Sequence, residues 1–293
     1  MALIDAHRDR WGVEPICQVL EVAPSTYYAA TSRPTSARRL RDEELKVEIA
    51  RVHTQNFDVY GVEKIWRQLN REGVRVGRDR VARLMRELNL EGAVRGKRKR
   101  TTVAGELDER PSDLVDRNFR APAPNRLWVA DLSYVSTWSG FVYVAFIIDA
   151  FSRSVVGWRV SDSLHAELAL DALEMALWAR GNQELEGLVH HSDRGGQYLA
   201  VRYTERLAEA GAVRSVGSRG DSYDNALAET VVGLYKTELI RRRGPWRTLE
   251  HLELATAEWV DWWNQRRLHG AIDNLPPAEF ERRWWERAEA QVA

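Results

Sequence analysis

Three acidic residues, Asp131, Asp193 and Glu229, are of the type that could together bind divalent metal ions. Asp131 stands in a strand-like run, Asp193 closes a second apolar run, and Glu229 follows 35 intervening residues later in a helix-like stretch. Hard divalent cations prefer carboxylate oxygens, and two ions about 3.5–4 Å apart can hold the attacking and leaving oxygens of a phosphodiester. The three residues therefore predict metal-dependent phosphodiester chemistry, provided that the fold brings them together.

The stretch 127–240 alternates strand-like and helix-like segments that could position these acids. Strands are expected at 127–136, 141–149, 155–160, 188–191 and 213–216, and helices at 165–179, 202–211 and 224–240. Tight turns make the first three strands antiparallel, so the pattern predicts an α/β fold with a mixed five-stranded sheet and flanking helices. If the first strand pairs with the strand ending at Ser192, Asp131 and Asp193 become neighbours at a switch point in strand order. The last helix would then lay Glu229 over the same edge.

Other polar residues near these motifs could support the site. Asn225 and Lys236 share a helix face with Glu229, and an amide and an ammonium group suit phosphate oxygens. Glu238 is a minor candidate for a supporting contact. The turn at 138–140 is expected to place Asp131 opposite Ile148, so that Asp149 points to the other face and caps the turn that follows it. His190 and His191 are more typical of packed strand histidines than of metal ligands.

Residues 1–126 are largely helical in pattern and locally basic. We expect a helix-turn-helix-like segment at 1–30, a helical DNA-binding domain at 42–92 and a basic, polar linker at 93–126. Residues 51–100 carry 14 Lys and Arg against 6 Asp and Glu, whereas residues 101–200 carry 8 against 14. A basic arm beside an acidic core fits nucleic-acid binding, and solvated arginines on a surface helix would give the same pattern. The candidate DNA contacts are Arg78, Arg80, Arg83, Arg86, Lys97, Arg98, Lys99, Arg100, Asn225 and Lys236.

Composition excludes several other classes of protein. The chain has equal numbers of basic and acidic residues, 43 each, and a single cysteine, which rules out a disulfide framework or a cysteine-based zinc finger. Its longest apolar run, at 141–148, is too short to span a bilayer, and the N-terminus lacks a secretory signal, so a soluble intracellular protein is expected. There is no phosphate-cradling Gly-x-x-x-x-Gly-Lys-Ser/Thr motif, which predicts a reaction without ATP.

The ordered motifs resemble those of one known family. Residues 128–135 are similar to the family's first catalytic strand, and residues 191–198 are similar to its second acidic motif. Its third acidic motif is matched by residues 218–226, Glu229 and residues 236–238. Its C-terminal signature is matched by residues 264–269 and 276–280. The family is the integrase-type DDE transposases of the insertion-sequence-three kind, second-reading-frame product. The helical part at 60–66 resembles the helix-turn-helix segment of the same proteins.

The resemblance implies a ribonuclease H-like integrase catalytic core at 127–240, and the helical pattern of the tail predicts a Trp-rich helical extension at 241–293. It implies that Asp131, Asp193 and Glu229 are catalytic and bind two Mg²⁺ (or Mn²⁺) ions. The reaction would be DNA strand cleavage at insertion-sequence ends, followed by strand transfer.

The same resemblance implies double-stranded DNA partners, namely the terminal inverted repeats and the target. It also implies a homo-oligomer on DNA, an upstream-frame partner protein, no membrane, and a bacterial cytoplasmic, nucleoid-associated location. Two alternatives stay open, a non-cutting DNA-binding regulator of transposition and a ribonuclease H-like nuclease that only hydrolyses. In the tail, Trp259, Trp262 and Trp263 share one helix face, which favours core packing over a base-stacking surface.

Overall fold

The computed structural model describes residues 1–94, 121–181, 185–193, 196–216 and 225–292. The predicted basic run from Lys97 to Arg100 lies outside these residues, as does most of the predicted linker. No helix within the described ranges is long and apolar enough to cross a membrane.

The N-terminal segment is built from three short helices. They are α1 (Ala2–Trp11), α2 (Val13–Val19) and α3 (Pro24–Ser32). Their buried contacts centre on Ile4, Cys17 and Tyr27, a cluster separate from the rest of the core. The sequence did not predict α1, because its few apolar residues form no clear stripe at helical spacing.

A second helical unit of three helices follows, in the region where the sequence predicts a helical domain at 42–92. They are α4 (Ala37–Gln55), α5 (Val62–Arg71) and α6 (Arg78–Glu87). The first begins five residues before residue 42, where the predicted domain starts, because the Ser36 side chain accepts a hydrogen bond from the Arg39 N–H and caps the helix there. Leu45, Ile49, Ile65 and Leu84 are buried between these helices.

The predicted mixed five-stranded sheet is confirmed. Its strands are β1 (Leu127–Thr137), β2 (Gly140–Asp149), β3 (Val155–Ser161), β4 (Val189–Ser192) and β5 (Val213–Val216). They lie in the order β3-β2-β1-β4-β5. The pairs β1–β2 and β2–β3 are antiparallel, whereas β4 runs parallel to both β1 and β5. The strand order therefore changes direction between β1 and β4, as the sequence predicts.

The expected register of the first hairpin is wrong by two positions. Asp131 pairs with Phe146, not Ile148, because the turn consists of only Trp138 and Ser139 and Thr137 pairs directly with Gly140. A shift of two keeps every side chain on its expected face. Asp149 accordingly caps its turn, since its Oδ1 accepts hydrogen bonds from the N–H groups of Phe151 and Ser152, each at 2.9 Å.

Helices cover both faces of the sheet. The remaining helices are α7 (Ala166–Ala179), α8 (Gly196–Leu199), α9 (Val201–Glu209), α10 (Ala226–Tyr235), α11 (Arg241–Arg243), α12 (Leu249–Gln265) and α13 (Pro277–Val292). A π-helical turn, Lys236–Ile240, joins α10 to α11. One face of β1 packs with α7 and α9, and the opposite face with α10 and α12. Gly157 on β3 allows α7 to approach closely, because a Cβ there would lie 2.1 Å from the Ala172 carbonyl oxygen.

The α4–α6 unit packs directly on the C-terminal helices. The Trp262 indole donates a hydrogen bond to Asn56 Oδ1 at 2.9 Å, and the Tyr60 hydroxyl accepts one from the Leu268 N–H at 2.7 Å. Buried residues of this unit, the sheet and α12 belong to one hydrophobic cluster. Trp259, Trp262 and Trp263 are each at most 1% exposed, which confirms their role in core packing. The helical tail therefore joins the two units.

Candidate active site

Asp131 and Asp193 lie side by side at the switch point of the sheet. The last residues that pair between β1 and the parallel β4 are Ala130 and Ser192, and each aspartate is the next residue in its chain segment. Asp131 is half-buried, and its Oδ1 accepts a hydrogen bond from the Leu132 N–H at 2.9 Å. This is the neighbour relation that the sequence predicts for the two aspartates.

Glu229 reaches the same place from α10. Burial above all, together with the Asp193 and Glu229 carboxylates, raises the pKa of Asp131 to about 8, against the opposing effect of the Leu132 N–H. Two charges influence a third in this way only at short range through protein. The structure thus brings all three predicted acids within electrostatic reach of one another.

Asn225 connects the start of α10 to the first half of β1. Its side-chain Nδ2 donates a 2.8 Å hydrogen bond to the Ala130 carbonyl. Its backbone carbonyl accepts a hydrogen bond from the Glu229 N–H at 3.0 Å. The side chain is only 6% exposed, so both bonds are shielded from water. Asn225 therefore fixes the helix that carries Glu229 against the strand that carries Asp131. Its predicted contact with DNA stays a prediction.

Lys236 lies near Asp131 in the π-helical turn. Burial lowers its pKa, the Asp131 charge raises it, and Arg241 lowers it further. Its Nζ also lies 4.9 Å from the centre of the Tyr134 ring. Single π-helical turns often occur at functional sites, where they re-aim side chains. The ammonium group is thus placed beside Asp131, as expected of a group that holds a phosphate oxygen.

The donor set suits a hard divalent cation. Three carboxylates supply oxygen ligands only, and the pKa of Asp131 is raised by burial and by the repulsion of the other two carboxylates, a repulsion that a bound cation would offset. Among the described residues, no group of three or more His, Cys, Asp or Glu side chains is already gathered closely enough to hold an ion. Asp131, Asp193 and Glu229 are therefore neighbours of the right chemical type to bind Mg²⁺, but their side chains are not close enough together to coordinate one ion.

The two histidines before Asp193 are packed, as the sequence favours. His190 Nε2 and the Tyr203 hydroxyl lie 3.0 Å apart, and His191 Nδ1 lies 2.9 Å from Ser215 Oγ. Both side chains are at most 1% exposed, and burial lowers the pKa of His190 to about 3. His190 is therefore neutral at physiological pH.

Tyr198 is a neighbour of the site that sequence reasoning missed. Its hydroxyl is buried and has no hydrogen-bond partner among the described residues. Burial raises its pKa well above the usual value, with contributions from Tyr203, Asp131 and Asp193, so the hydroxyl keeps its proton. The available signal was its place five residues after Asp193.

The predicted arginines of α6 differ in their surroundings. Arg80 and Arg83 both bind the Asp42 carboxylate, at 2.8 and 2.7 Å, and Arg78 lies 3.2 Å from Glu63. Arg86 is exposed and forms no ion pair with any described residue. All four remain predicted DNA contacts, and Arg80 and Arg83 also join α6 to α4.

Comparison with known proteins agrees with this architecture. An HTH-like domain model matches residues 39–98, and two integrase core domain models match residues 121–222 and 211–277. The transposase for insertion sequence element IS629 of Shigella sonnei is 52% identical over 290 residues, which are 97% of this chain and 96% of the relative. Transposase InsF for insertion sequence IS3A of Escherichia coli (strain K12) is 30% identical over 283 residues, 95% of this chain and 96% of the relative. The chain belongs to the integrase-type transposases of the insertion-sequence-three family.

The chain is also similar to a further insertion-sequence protein and, more distantly, to a solved structure. A Mycobacterium tuberculosis (strain ATCC 25618 / H37Rv) protein named after insertion sequence element IS986/IS6110 is 54% identical over 277 residues, 94% of this chain and 100% of the relative. Among solved structures, the HTLV-2 integrase catalytic core domain in complex with magnesium aligns with a TM-score of 0.43 and 16% identity, over 55% of this chain and 99% of that one. Family membership confirms the resemblance that the motifs indicate, and it assigns the sheet to the integrase core.

Proposed function

We propose that this transposase cleaves DNA at insertion-sequence ends and joins the freed 3′-hydroxyl to target DNA in a Mg²⁺-dependent reaction. The observation that carries the proposal is the proximity of Asp131 in the middle of β1, Asp193 directly after β4 and Glu229 in the first turn of α10. Two bound divalent ions would stabilise the attacking and leaving oxygens of the phosphodiester. Mn²⁺ would serve the same three carboxylates, and ATP has no part in the proposed reaction.

The protein groups have separate tasks in this proposal. Asp131, Asp193 and Glu229 hold the ions, and Lys236 binds a non-bridging oxygen of the scissile phosphate. Asn225 positions Glu229 by holding α10 against β1. Each step exchanges one phosphodiester oxygen for water or for a DNA hydroxyl, so no covalent enzyme intermediate is needed.

DNA recognition is proposed for the α4–α6 unit. Family membership and the HTH-like match support double-stranded DNA as the partner, with the terminal inverted repeats as the recognised ends. Arg78 and Arg86 are the exposed basic residues of α6 among those predicted. We further propose a homo-oligomer on DNA, a partner from the upstream frame and a bacterial cytoplasmic setting, as the family resemblance implies.

The test of the proposed chemistry is Asp193→Asn in the full chain. Strand cleavage of an element-end duplex in Mg²⁺ should vanish while binding to the same duplex persists, because the change removes a metal ligand without altering the basic surfaces. Asp162→Asn, an exposed residue of the same domain, is the matched control and should cut normally. Unchanged cleavage by Asp193→Asn contradicts the proposed site.

Analysis of the products separates the alternatives. Joined strands that carry target DNA support transposition, whereas cut but never joined strands indicate a nuclease that only hydrolyses. If the wild-type chain binds element ends and does not cut them, alone or with its upstream-frame partner, it is a DNA-binding regulator.

A further inference from the structure

The β1–β2 hairpin carries an exposed group of aromatic side chains beside the candidate active site. Tyr134, Trp138 and Phe141 are 57%, 68% and 57% exposed. Large aromatic side chains are usually buried at least in part against their own fold, so three exposed on one hairpin indicate an interaction surface. We call these three residues, with Lys236 and Arg247, the hairpin surface.

Basic side chains lie against two of the three rings. Lys236 Nζ is 4.9 Å from the centre of the Tyr134 ring, and the Arg247 guanidinium is 5.5 Å from that of Trp138. The Phe141 ring meets Tyr134 edge-on at 5.5 Å. Arg241 adds positive charge, since it acts on Lys236 across a short distance. Alternating ring faces and cations are the arrangement that single nucleic-acid strands require.

The hairpin surface is held in place rather than left to move freely. The Trp138 N–H donates to the Trp246 carbonyl at 3.0 Å, and the Ser139 hydroxyl donates to the Arg247 carbonyl at 3.3 Å. Trp246 itself is 4% exposed, and its indole donates to the Ile240 carbonyl at 3.1 Å. The tip of the hairpin is therefore fastened to the segment that follows the π-helical turn, and its rings are presented in a defined position.

The hairpin surface begins at the candidate active site. Tyr134 is three residues beyond Asp131 on β1, about 10 Å away along an extended strand, and the two side chains leave the strand on opposite faces. Lys236 links them, because its Nζ covers the Tyr134 ring and its charge acts on Asp131. A DNA strand whose phosphate lies at Asp131 would pass Lys236 to place a neighbouring nucleotide against Tyr134.

We infer that the hairpin surface binds unpaired DNA bases next to the scissile phosphodiester, with Tyr134 and Trp138 stacking on the bases and Lys236 and Arg247 contacting phosphates. The inference rests on the proposed function and adds a substrate feature to it, a locally melted strand at the cleavage point. Paired bases are excluded as the occupant, because a duplex hides the base faces in its own stack. An apolar protein partner fits less well, because cations accompany the exposed rings.

The first experiment compares two DNAs that differ only at the cleavage point. One element-end duplex is fully paired, the other has unpaired bases in the flank, and binding is measured by fluorescence anisotropy in EDTA so that no strand is cut. Tyr134→Ala and Trp138→Ala should each weaken binding to the unpaired flank by roughly 5- to 150-fold and binding to the paired duplex by less than about twofold. Trp178→Ala, which removes an 86% exposed tryptophan of α7, is the matched control and should change neither.

Two further measurements keep the inference testable if an alanine variant unfolds. Tyr134→Phe retains the ring and should bind like the wild type. In the wild-type chain, 5-iododeoxyuridine placed in the unpaired flank should photocrosslink to Tyr134, Trp138 or Phe141. Equal wild-type affinity for both DNAs, an equal loss on both in the alanine variants, or crosslinks confined to other residues would each overturn the inference.

The outcome is distinguishable from failure of the proposed function. A wild-type chain that prefers the unpaired flank and never cuts it in Mg²⁺ refutes the transposase chemistry and leaves the hairpin surface standing. A chain that cuts element ends and shows no preference for unpaired flanks supports the chemistry and refutes the hairpin surface.

Discussion

Arg267→Met should destabilise the transposase strongly, because it strands a buried charge. Arg267 and Glu238 are each about 5% exposed, and two guanidinium nitrogens contact the two carboxylate oxygens, one of them at 3.0 Å. The guanidinium also lies 4.5 Å from the Trp263 ring. Removing the arginine leaves the Glu238 carboxylate buried without its partner, a change that typically costs about 3–5 kcal/mol.

Because of where this ion pair lies, its loss should affect activity as well as stability. Glu238 is in the π-helical turn that begins at Lys236, and Arg267 is the second residue after α12. The pair therefore fastens the segment that presents Lys236 to the helices on which the α4–α6 unit packs. Arg267→Met should reduce strand cleavage even at temperatures where the variant stays folded.

Thermal unfolding followed by circular dichroism measures the effect. For a chain of this size each kcal/mol shifts the midpoint by about 2–4 °C, so Arg267→Met should lower it by roughly 6–20 °C. Arg266→Met is the matched control: its side chain is 55% exposed and 3.5 Å from Asp261, so it should cost less than about 1 kcal/mol. The double variant Glu238→Leu with Arg267→Met should recover most of the loss, because no buried charge remains.

A fall of less than about 3 °C for Arg267→Met would refute this reasoning. So would an Arg266→Met effect of equal size, or a double variant no more stable than the single one. The first result would show that the buried pair contributes little to stability. The other two would show that the loss of stability does not come from the unpaired carboxylate.

Three further predictions concern the site and the DNA-binding unit. Asn225→Ala should lower the stability by about 1–3 kcal/mol in urea unfolding, because the Ala130 carbonyl loses its buried donor; an unchanged midpoint would contradict the positioning role. In the folded protein the pKa of Asp131 is raised to about 8, so between about pH 4 and pH 8 the folded state keeps a proton on Asp131 that the unfolded chain has lost. The metal-free protein should therefore lose stability as the pH rises through this range. Metal-free Asp131→Asn should therefore exceed the wild type in thermal midpoint by a margin that grows over this range, and a constant margin would count against it. Arg86→Ala should weaken DNA binding at every sequence and lower the salt slope by about one, without changing the thermal midpoint; an unaltered slope would remove Arg86 from the interface.

Much of the core could be predicted from sequence because its signals are local. The alternation of strands and helices fixes the sheet, and the apolar run that ends at Ser192 pairs with the strand before Asp131 as expected. The predicted register of β1 and β2 was wrong by two positions. The predicted faces of the β1 side chains were still right, because a shift of two positions leaves each side chain on the same face. The convergence of Asp131 and Asp193 follows from these two facts alone.

Other features depend on contacts between distant segments, which no local pattern reveals. The Asn225 bond to Ala130 joins residues 95 positions apart, and the Arg267–Glu238 pair joins residues 29 apart. The π-helical turn that presents Lys236 reads as ordinary helix in the sequence. The arginines of α6 form a single basic face in sequence, and only the fold shows that Arg80 and Arg83 bind Asp42.

The most direct test of the central claim is a crystal structure of the full chain with an element-end duplex and Mn²⁺, read from the anomalous difference map. The account predicts two peaks about 3.5–4 Å apart, bound by the carboxylates of Asp131, Asp193 and Glu229 and adjoining one DNA phosphate. A map with no peak at these carboxylates, or with Mn²⁺ held by other residues at the scissile phosphate, would contradict it.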